Sequence, residues 1–268
     1  MINYICTTCG TQFPASERPP EHCPICEDPR QYVGWNGQNW TTLETLRKTH
    51  KNAFRTVEPG LLGIGTTPDF AIGQRALLLQ TSAGNVMWDC ITLLDEATQQ
   101  IVNALGGISA IAISHPHYYS SMVEWAHAFE APIYLHESNR KWVMRPDNVV
   151  RYWEGDTFVL GDGLTLLRLG GHFTGGTVLH WAAGAQGRGA ILSGDILQVV
   201  NDRRYVSFMY SFPNLIPLPA SKVQAIVDAI EPYSFDRIYG AWWDRVMEQD
   251  ASSAVRRSAQ RYIKAMAG

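Results

Sequence analysis

From about residue 58 the chain is written as short apolar runs separated by turn residues. Residues 60–65, 75–80 and 85–90 read as strands, and Ser82-Ala-Gly-Asn85 turns the last two into a hairpin that ends in Trp88-Asp89-Cys90. The apolar spacing then lengthens to the helical period, with Asp95 placed to cap a helix carrying Ala97, Ile101, Val102 and Leu105. Residues 107–114 form the next buried strand and run into His115-Pro-His117-Tyr-Tyr-Ser-Ser121. Pro116 has no N–H to donate to a ladder, so the strand stops there. Ser120 or Ser121 can cap a helix through Met122, Trp125 and Phe129, followed by a strand at 132–135 and a short helix at 137–143. The alternation predicts a layered α/β half.

The second half opens with strands at 157–160, 164–169, 177–181 and 189–193. Between the second and third lies Gly170-Gly-His172-Phe-Thr-Gly-Gly176, whose glycines allow a sharp turn that brings His172 toward a partner. The fourth strand runs into Ser193-Gly-Asp195. A helix at 220–230, a strand at 235–239 ending near Trp242 and Trp243, and an amphipathic helix at 251–267 complete the pattern. No tandem repeat or low-complexity tract is present.

The N-terminal stretch does not share this pattern. Residues 1–35 read as a separate metal-binding unit, 36–57 as a polar connector and 58–268 as the main domain. The connector holds a short helix at 42–54 with Leu43, Leu46 and His50. In the first unit, Cys6-x-x-Cys9 and Cys23-x-x-Cys26 are two knuckle pairs, and four thiolates suit one tetrahedral ion. A segment this short cannot bury a sufficient core, so the ion supplies much of its folding energy. Tetrahedral sulfur accepts zinc or iron, and structural zinc is the commoner use.

Composition narrows the function classes. The 268 residues carry a net charge of −3, which gives no reason to expect nucleic acid or an anionic membrane as partner. No apolar run approaches the ~18 residues of a membrane span, and Met-Ile-Asn-Tyr-Ile-Cys lacks the basic and apolar regions of a signal peptide. Five cysteines in a chain this long, four with metal-ligand spacing, argue against a disulfide framework and place the protein in the cytoplasm. Cys90 is expected as a small buried residue, and His50, His127, His136 and His180 as surface, rim or packed residues, while His22, next to Cys23, could ligate only if a cysteine did not.

His115, His117, His172 and Asp195 each follow an apolar strand. If those strands lie side by side, their ends converge on one edge, and three imidazoles with a carboxylate suit zinc, iron or manganese. At these residues, over roughly 58–245, the chain resembles the metallo-β-lactamase superfamily: the hairpin ending in Asp89, the strand into His-x-His, the Gly-His-x-x-Gly turn and the Ser-Gly-Asp strand end. The N-terminal unit resembles the rubredoxin-like domains of rubrerythrins, with Glu27 where that family has glycine. The resemblance implies an αββα sandwich with the metal site at one edge, preceded by a small four-cysteine zinc-ribbon unit. It also implies a first-site triad of His115, His117 and His172 with the bridging carboxylate Asp195.

The departures point to a single ion in that site. The family loop is H-x-H-x-D-H, and here Tyr119 and Ser120 stand at the last two positions, while Ala241 to Trp243 lack the final histidine. The expected protein is therefore a single-metal hydrolase that activates water against an ester, lactone, thioester or amide. Asp195 is expected as fourth ligand or general base, and Tyr118 or Tyr119 as a proton donor replacing the second ion. One zinc is expected in the four-cysteine unit and one in the histidine site, with iron possible at either. Trp242, Trp243 and Phe173 would favour a small apolar or aromatic substrate, and a homodimer is possible. The alternatives are an iron-dependent redox protein of flavodiiron-like architecture and a non-catalytic metal-stabilised binding protein.

Overall fold

A computed structural model describes residues 1–161 and 163–267. The chain divides into two compact units, one of Met1–Leu135 with Asn139–Tyr152 and one of His136–Ser138 with Trp153–Gly268.

In the first unit, Ile2–Cys6 pairs antiparallel with Gln12–Ser16 and with Trp40–Thr41. The Cys6–Cys9 knuckle lies in the turn between the first two strands, and Cys23 and Cys26 sit at the short helical turn Pro24–Glu27. The helix expected at 42–54 stops at Thr49, and Lys51–Glu58 is instead a strand paired along its length with Leu61–Thr67. This strand is the outer edge of a seven-stranded sheet, so its burial follows no clean alternation and its sequence reads as a connector.

The interior of that sheet positions chemistry. Arg75–Leu79 pairs antiparallel with Val86–Trp88, which runs parallel to Ala110–Ala112, itself parallel to Ile133–His136. All three residues of Val86–Trp88 and of Ala110–Ala112 are buried, as apolar runs inside a parallel arrangement require. Parallel neighbours end on the same edge, and the Asp89 N–H donates to the Ala112 carbonyl at 2.8 Å. Asp89 and the 113–117 segment therefore leave the sheet together.

The second unit is a six-stranded sheet in the order Thr157–Gly161, Leu164–Arg168, Thr177–Trp181, Ala190–Gly194, Arg237–Gly240 and Val246–Met247. Its core gathers Val178, Ile191 and Ile238 from the sheet with Val223, Ile226 and Ile230 from Ala220–Ile230 and Val255 from Ala251–Ala267. Ala190–Gly194 runs antiparallel to Thr177–Trp181 and parallel to Arg237–Gly240. The 169–176 loop and Asp195 consequently share one edge, and Ala241 N–H donates to the Gly194 carbonyl at 3.1 Å beside them. No helix among the described residues is long and apolar enough to cross a membrane.

Candidate functional site

Two groups of side chains could each hold one ion. In the first, Cys6, Cys9, Cys23 and Cys26 are buried and their sulfurs all lie within 4.8 Å of one another. The Cys6–Cys26 and Cys9–Cys23 sulfurs are 3.5 and 3.7 Å apart. A tetrahedron with metal–sulfur bonds near 2.3 Å has edges of about 3.8 Å, so the donor set fits a zinc- or iron-sized ion. Hydrogen bonds from the other thiols, Cys23 first, hold the Cys6 thiol down, while Cys9 and Cys26 are pushed up. Gln38 Nε2 donates to the Cys6 sulfur at 3.1 Å, and Trp40, Trp142 and Met144 cover the cluster. Glu27, the departure from glycine, accepts from His22 Nδ1 at 2.7 Å on the surface.

The second group is His115, His117 and His172, all buried, whose ligand atoms also lie within 4.8 Å of one another. His115 leaves the strand end in extended backbone, and Pro116–Tyr118 then forms one tight 3-10 turn. The two rings come to 5.1 Å between centroids, at 71°. Asp89, in left-handed backbone with φ 58°, orients the first of them. Its Oδ1 accepts from the Ser114 N–H at 2.8 Å and from the Ser114 hydroxyl at 2.7 Å. With its only proton engaged there, the hydroxyl must accept from His115 Nδ1 at 2.9 Å, which fixes Nε2 as the lone-pair nitrogen offered to a cation. Burial pushes His117 down to about 3, with the charge of Arg30 adding to the effect, so that ring is neutral and able to ligate. Burial also pushes Asp89 up to about 7, partly offset by its bonds from Ser114.

His172 sits in a pinched loop. The N–H groups of Leu169 and Gly170 both donate to the Gly176 carbonyl at 2.9 Å, and a Cβ at Gly176 would lie 1.8 Å from the Gly170 oxygen. Phe173 is buried, with its ring 5.3 Å from that of His172, so it supports the histidine from within instead of walling a pocket. Asp195 Oδ1 lies 3.7 Å from His172 Nε2, but Asp195 is not among the donors gathered within 4.8 Å. Three imidazole donors are a set that zinc, iron or manganese accepts.

The remaining candidates divide by contact. Tyr118 is buried edge-on against His115 at 4.5 Å. Tyr119 is buried with its hydroxyl facing Asn139, and burial holds that phenol well above its ordinary range. Ser121 stands at the N-cap of Met122–Phe129, as expected, but its side chain makes no capping bond. The two serine hydroxyls bond main-chain carbonyls instead, Ser120 to Cys90 at 3.3 Å and Ser121 to Thr92 at 2.6 Å, a long-range competition that local sequence cannot reveal. Cys90 is buried. His127 pairs with Asp147, while His136 and His180 bond the carbonyls of Gly155 and Ser234, which accounts for all three without a ligand role. The Asp89–Ser114–His115 chain is a unit that sequence reasoning missed. Its signal is the hydroxyl residue immediately before His-x-His.

No family model matches the chain. The uncharacterized protein YmaE of Bacillus subtilis (strain 168) is 54% identical over 268 residues, covering 99% of this chain and 97% of its own. Among solved structures, VMB-1 superposes with a TM-score of 0.61 at 13% identity, over 81% of this chain and 99% of its own. FIM-1 from Pseudomonas aeruginosa, a metallo-β-lactamase in its mono-zinc form, gives 0.59 at 11% identity over 79% and 96%. The metallo-β-lactamase SMB-1 in complex with mercaptoacetic acid gives 0.52 at 16% identity over 77% and 94%. These likenesses bear out the expected fold.

Proposed function

The chain belongs to one family with YmaE of Bacillus subtilis and has the metallo-β-lactamase fold, and from that premise we propose that it is a metal-dependent hydrolase with a single catalytic ion. The observation that carries the proposal is the meeting of three buried imidazoles, His115, His117 and His172. These residues would hold a divalent ion, which when bound would supply Lewis acidity and lower the pKa of a water toward neutral.

The chain's own residues do the rest. Asp89 and Ser114 hold His115 with Nε2 as its ligand nitrogen. Asp195, whose Oδ1 lies 3.7 Å from His172 Nε2, would accept a proton at its carboxylate or join the ligand set. Tyr119, whose hydroxyl is buried, is the donor toward the leaving group or developing oxyanion, and Tyr118 braces His115. The substrate is a small ester, lactone, thioester or amide. Trp242 and Trp243, half-buried beyond the end of Arg237–Gly240, favour an apolar or aromatic one. That a related fold holds one zinc in FIM-1 supports a one-ion site. A thiolate cluster fits a reducing compartment, and the same proposal places the protein in the cytoplasm and allows a homodimer.

The test is elemental analysis of protein purified without added metal, followed by a hydrolysis screen across the four substrate classes. About two zinc ions per chain are expected, with hydrolysis abolished and one ion lost in His115→Ala and His172→Ala. Iron at the histidines together with redox turnover, or full metal loading with no hydrolysis of any class, would sink the reading.

A further inference from the structure

The four-cysteine unit takes no part in the chemistry proposed above, yet it is joined to the loop that carries His115 and His117. Gly10, the residue after Cys9, is left-handed at φ 79° and its carbonyl accepts from the Thr92 hydroxyl at 3.0 Å. The contact is close: a Cβ at Gly10 would lie 2.5 Å from that hydroxyl oxygen. Two residues on, the Gln12 N–H donates to the Ser120 carbonyl at 2.9 Å. Ser120 is itself left-handed, at φ 46°, and its hydroxyl lies between Gln74 Nε2 at 3.0 Å and the Cys90 carbonyl at 3.3 Å.

A second connection lies beside the first. Gln12 Nε2 donates to Glu124 Oε1 at 3.2 Å, while Arg145 donates both to Gln12 Oε1 and to Glu124 Oε1. Glu124 stands in the first turn of Met122–Phe129, the helix that follows the histidine loop. Met144, which helps cover the four sulfurs, also lines this junction, and the cavity left there is only ≈ 10 Å³. That is about the space of a single water.

A non-glycine residue in left-handed backbone costs on the order of 1 kcal/mol and persists only where its surroundings impose it. At Ser120 part of what imposes it is a strand of the four-cysteine unit. We propose that the four-cysteine unit is the brace of the histidine loop, with Gly10, Gln12 and Thr92 as positioning residues, so that an ion among the four cysteines raises the histidine centre's affinity for its own ion. The inference rests on the reading that His115, His117 and His172 hold a metal. Linkage makes the effect reciprocal: an ion at the histidines tightens the cysteine cluster by the same factor.

Cobalt(II) titration of the full-length chain separates the two centres, because thiolate-to-cobalt charge-transfer absorption arises at the cysteines alone, and cobalt bound in excess of that signal reports the histidines. Two variants are compared with the wild type, Cys26→Ser, which empties the brace, and Thr92→Val, which removes the bond to Gly10 and leaves all four thiols. Losing a residue that orients a metal's ligands typically weakens binding about 10–100-fold. Cobalt affinity at the histidines is expected to fall at least tenfold in Cys26→Ser and several-fold in Thr92→Val, with thiolate absorption intact in the latter. Amide exchange at residues 117–121 is expected to quicken in both. Thr92→Val with wild-type affinity and exchange, or a folded Cys26→Ser whose histidine affinity stays within twofold, overturns the inference alone. A wild-type chain that takes no cobalt at the histidines overturns the proposed function and the inference together.

Discussion

The two candidate centres use opposite strategies. The four cysteines come from two knuckles, Cys6–Cys9 and Cys23–Cys26, and share their buried cluster with Phe13 and Ile25. The histidines instead stand at the ends of fully formed sheets, with His115 following Ala110–Ala112 and His172 set in the loop after Leu164–Arg168. One centre must be completed by its ion, whereas the other is presented by a fold that is stable for its own reasons. The difference teaches where metal binding becomes folding energy and where it becomes chemistry. At the cysteines the binding energy is largely folding energy, about 10–16 kcal/mol in zinc-finger peptides. At the histidines, Asp89 and Ser114 orient His115 before any ion arrives, so an ion bound there would contribute less to folding.

The largest effect follows from that asymmetry. Cys26→Ser is expected to lose the cysteine ion and unfold residues 1–35, seen as proteolytic cleavage there and as lost thiolate absorption. His172→Ala is expected to leave that segment protected and its ion in place, weakened only by the coupling between the centres, since all four thiols remain. Equal damage to the N-terminal segment from both variants would remove the contrast.

Next in size is Gly176→Ala. A methyl group placed 1.8 Å from the Gly170 oxygen cannot be accommodated without opening the loop that holds His172. A loss of about 2–4 kcal/mol is expected in denaturant unfolding, together with weaker cobalt binding at the histidines while the thiolate absorption of the loaded cysteines is retained. A fully stable variant would show that the loop has slack and that its presentation of His172 is not preorganised.

A smaller, pH-dependent effect belongs to Asp89. Its folded value, about 7, lies above the ordinary carboxylate range because of burial. The folded state therefore holds a proton that the unfolded state has lost. The stability this contributes is complete below about pH 4 and disappears as pH rises through 7, up to roughly 4 kcal/mol in all. In metal-free protein, Asp89→Asn keeps an acceptor for Ser114 but removes the titration. The wild type should therefore lose stability relative to the variant between pH 4 and 7. Parallel urea-midpoint profiles for the two proteins would mean that Asp89 stays ionised in the fold.

The contrast between the centres also governs what could be read from the sequence. The cysteines were legible because all four ligands lie in 21 consecutive residues, 6–26, with the spacing of two knuckles. His115 and His117 were legible because the strand and Pro116 are local features, and His172 and Asp195 because each follows an apolar run before a turn. Hidden were the relations that cross the chain. Ser120 and Ser121 look like helix caps, but the carbonyls of Cys90 and Thr92 claim their hydroxyls. The brace from Gly10 and Gln12 joins residues far apart in sequence, and nothing local in either marks the partner. Ser120, which stands where the family loop has a second-site histidine, is bonded to the strand after the cysteine knuckle. The position that departs from a second-metal ligand is therefore the one that ties the two centres together.

The smallest expected effect tests whether the cysteine centre depends on anything but its ion. Glu27 is the residue that departs from the rubredoxin-like pattern, and its carboxylate accepts from His22 Nδ1 at 2.7 Å. The pair is open to water, with side chains 63% and 47% exposed, so solvent screens most of its attraction. Exposed pairs of this kind contribute about 0–1 kcal/mol, and glycine at a helical-turn position costs about 0.5–1 kcal/mol. Glu27→Gly should therefore cost under about 2 kcal/mol of stability in the metal-loaded protein, with cobalt–thiolate absorption unchanged in wavelength and intensity. Raising the salt concentration should shrink the difference further, since only the ion-pair part is screened. A shifted spectrum would mean that the surface pair shapes the sulfur geometry after all, and the cysteine centre would then share with the histidines a dependence on outer residues that the comparison denies it.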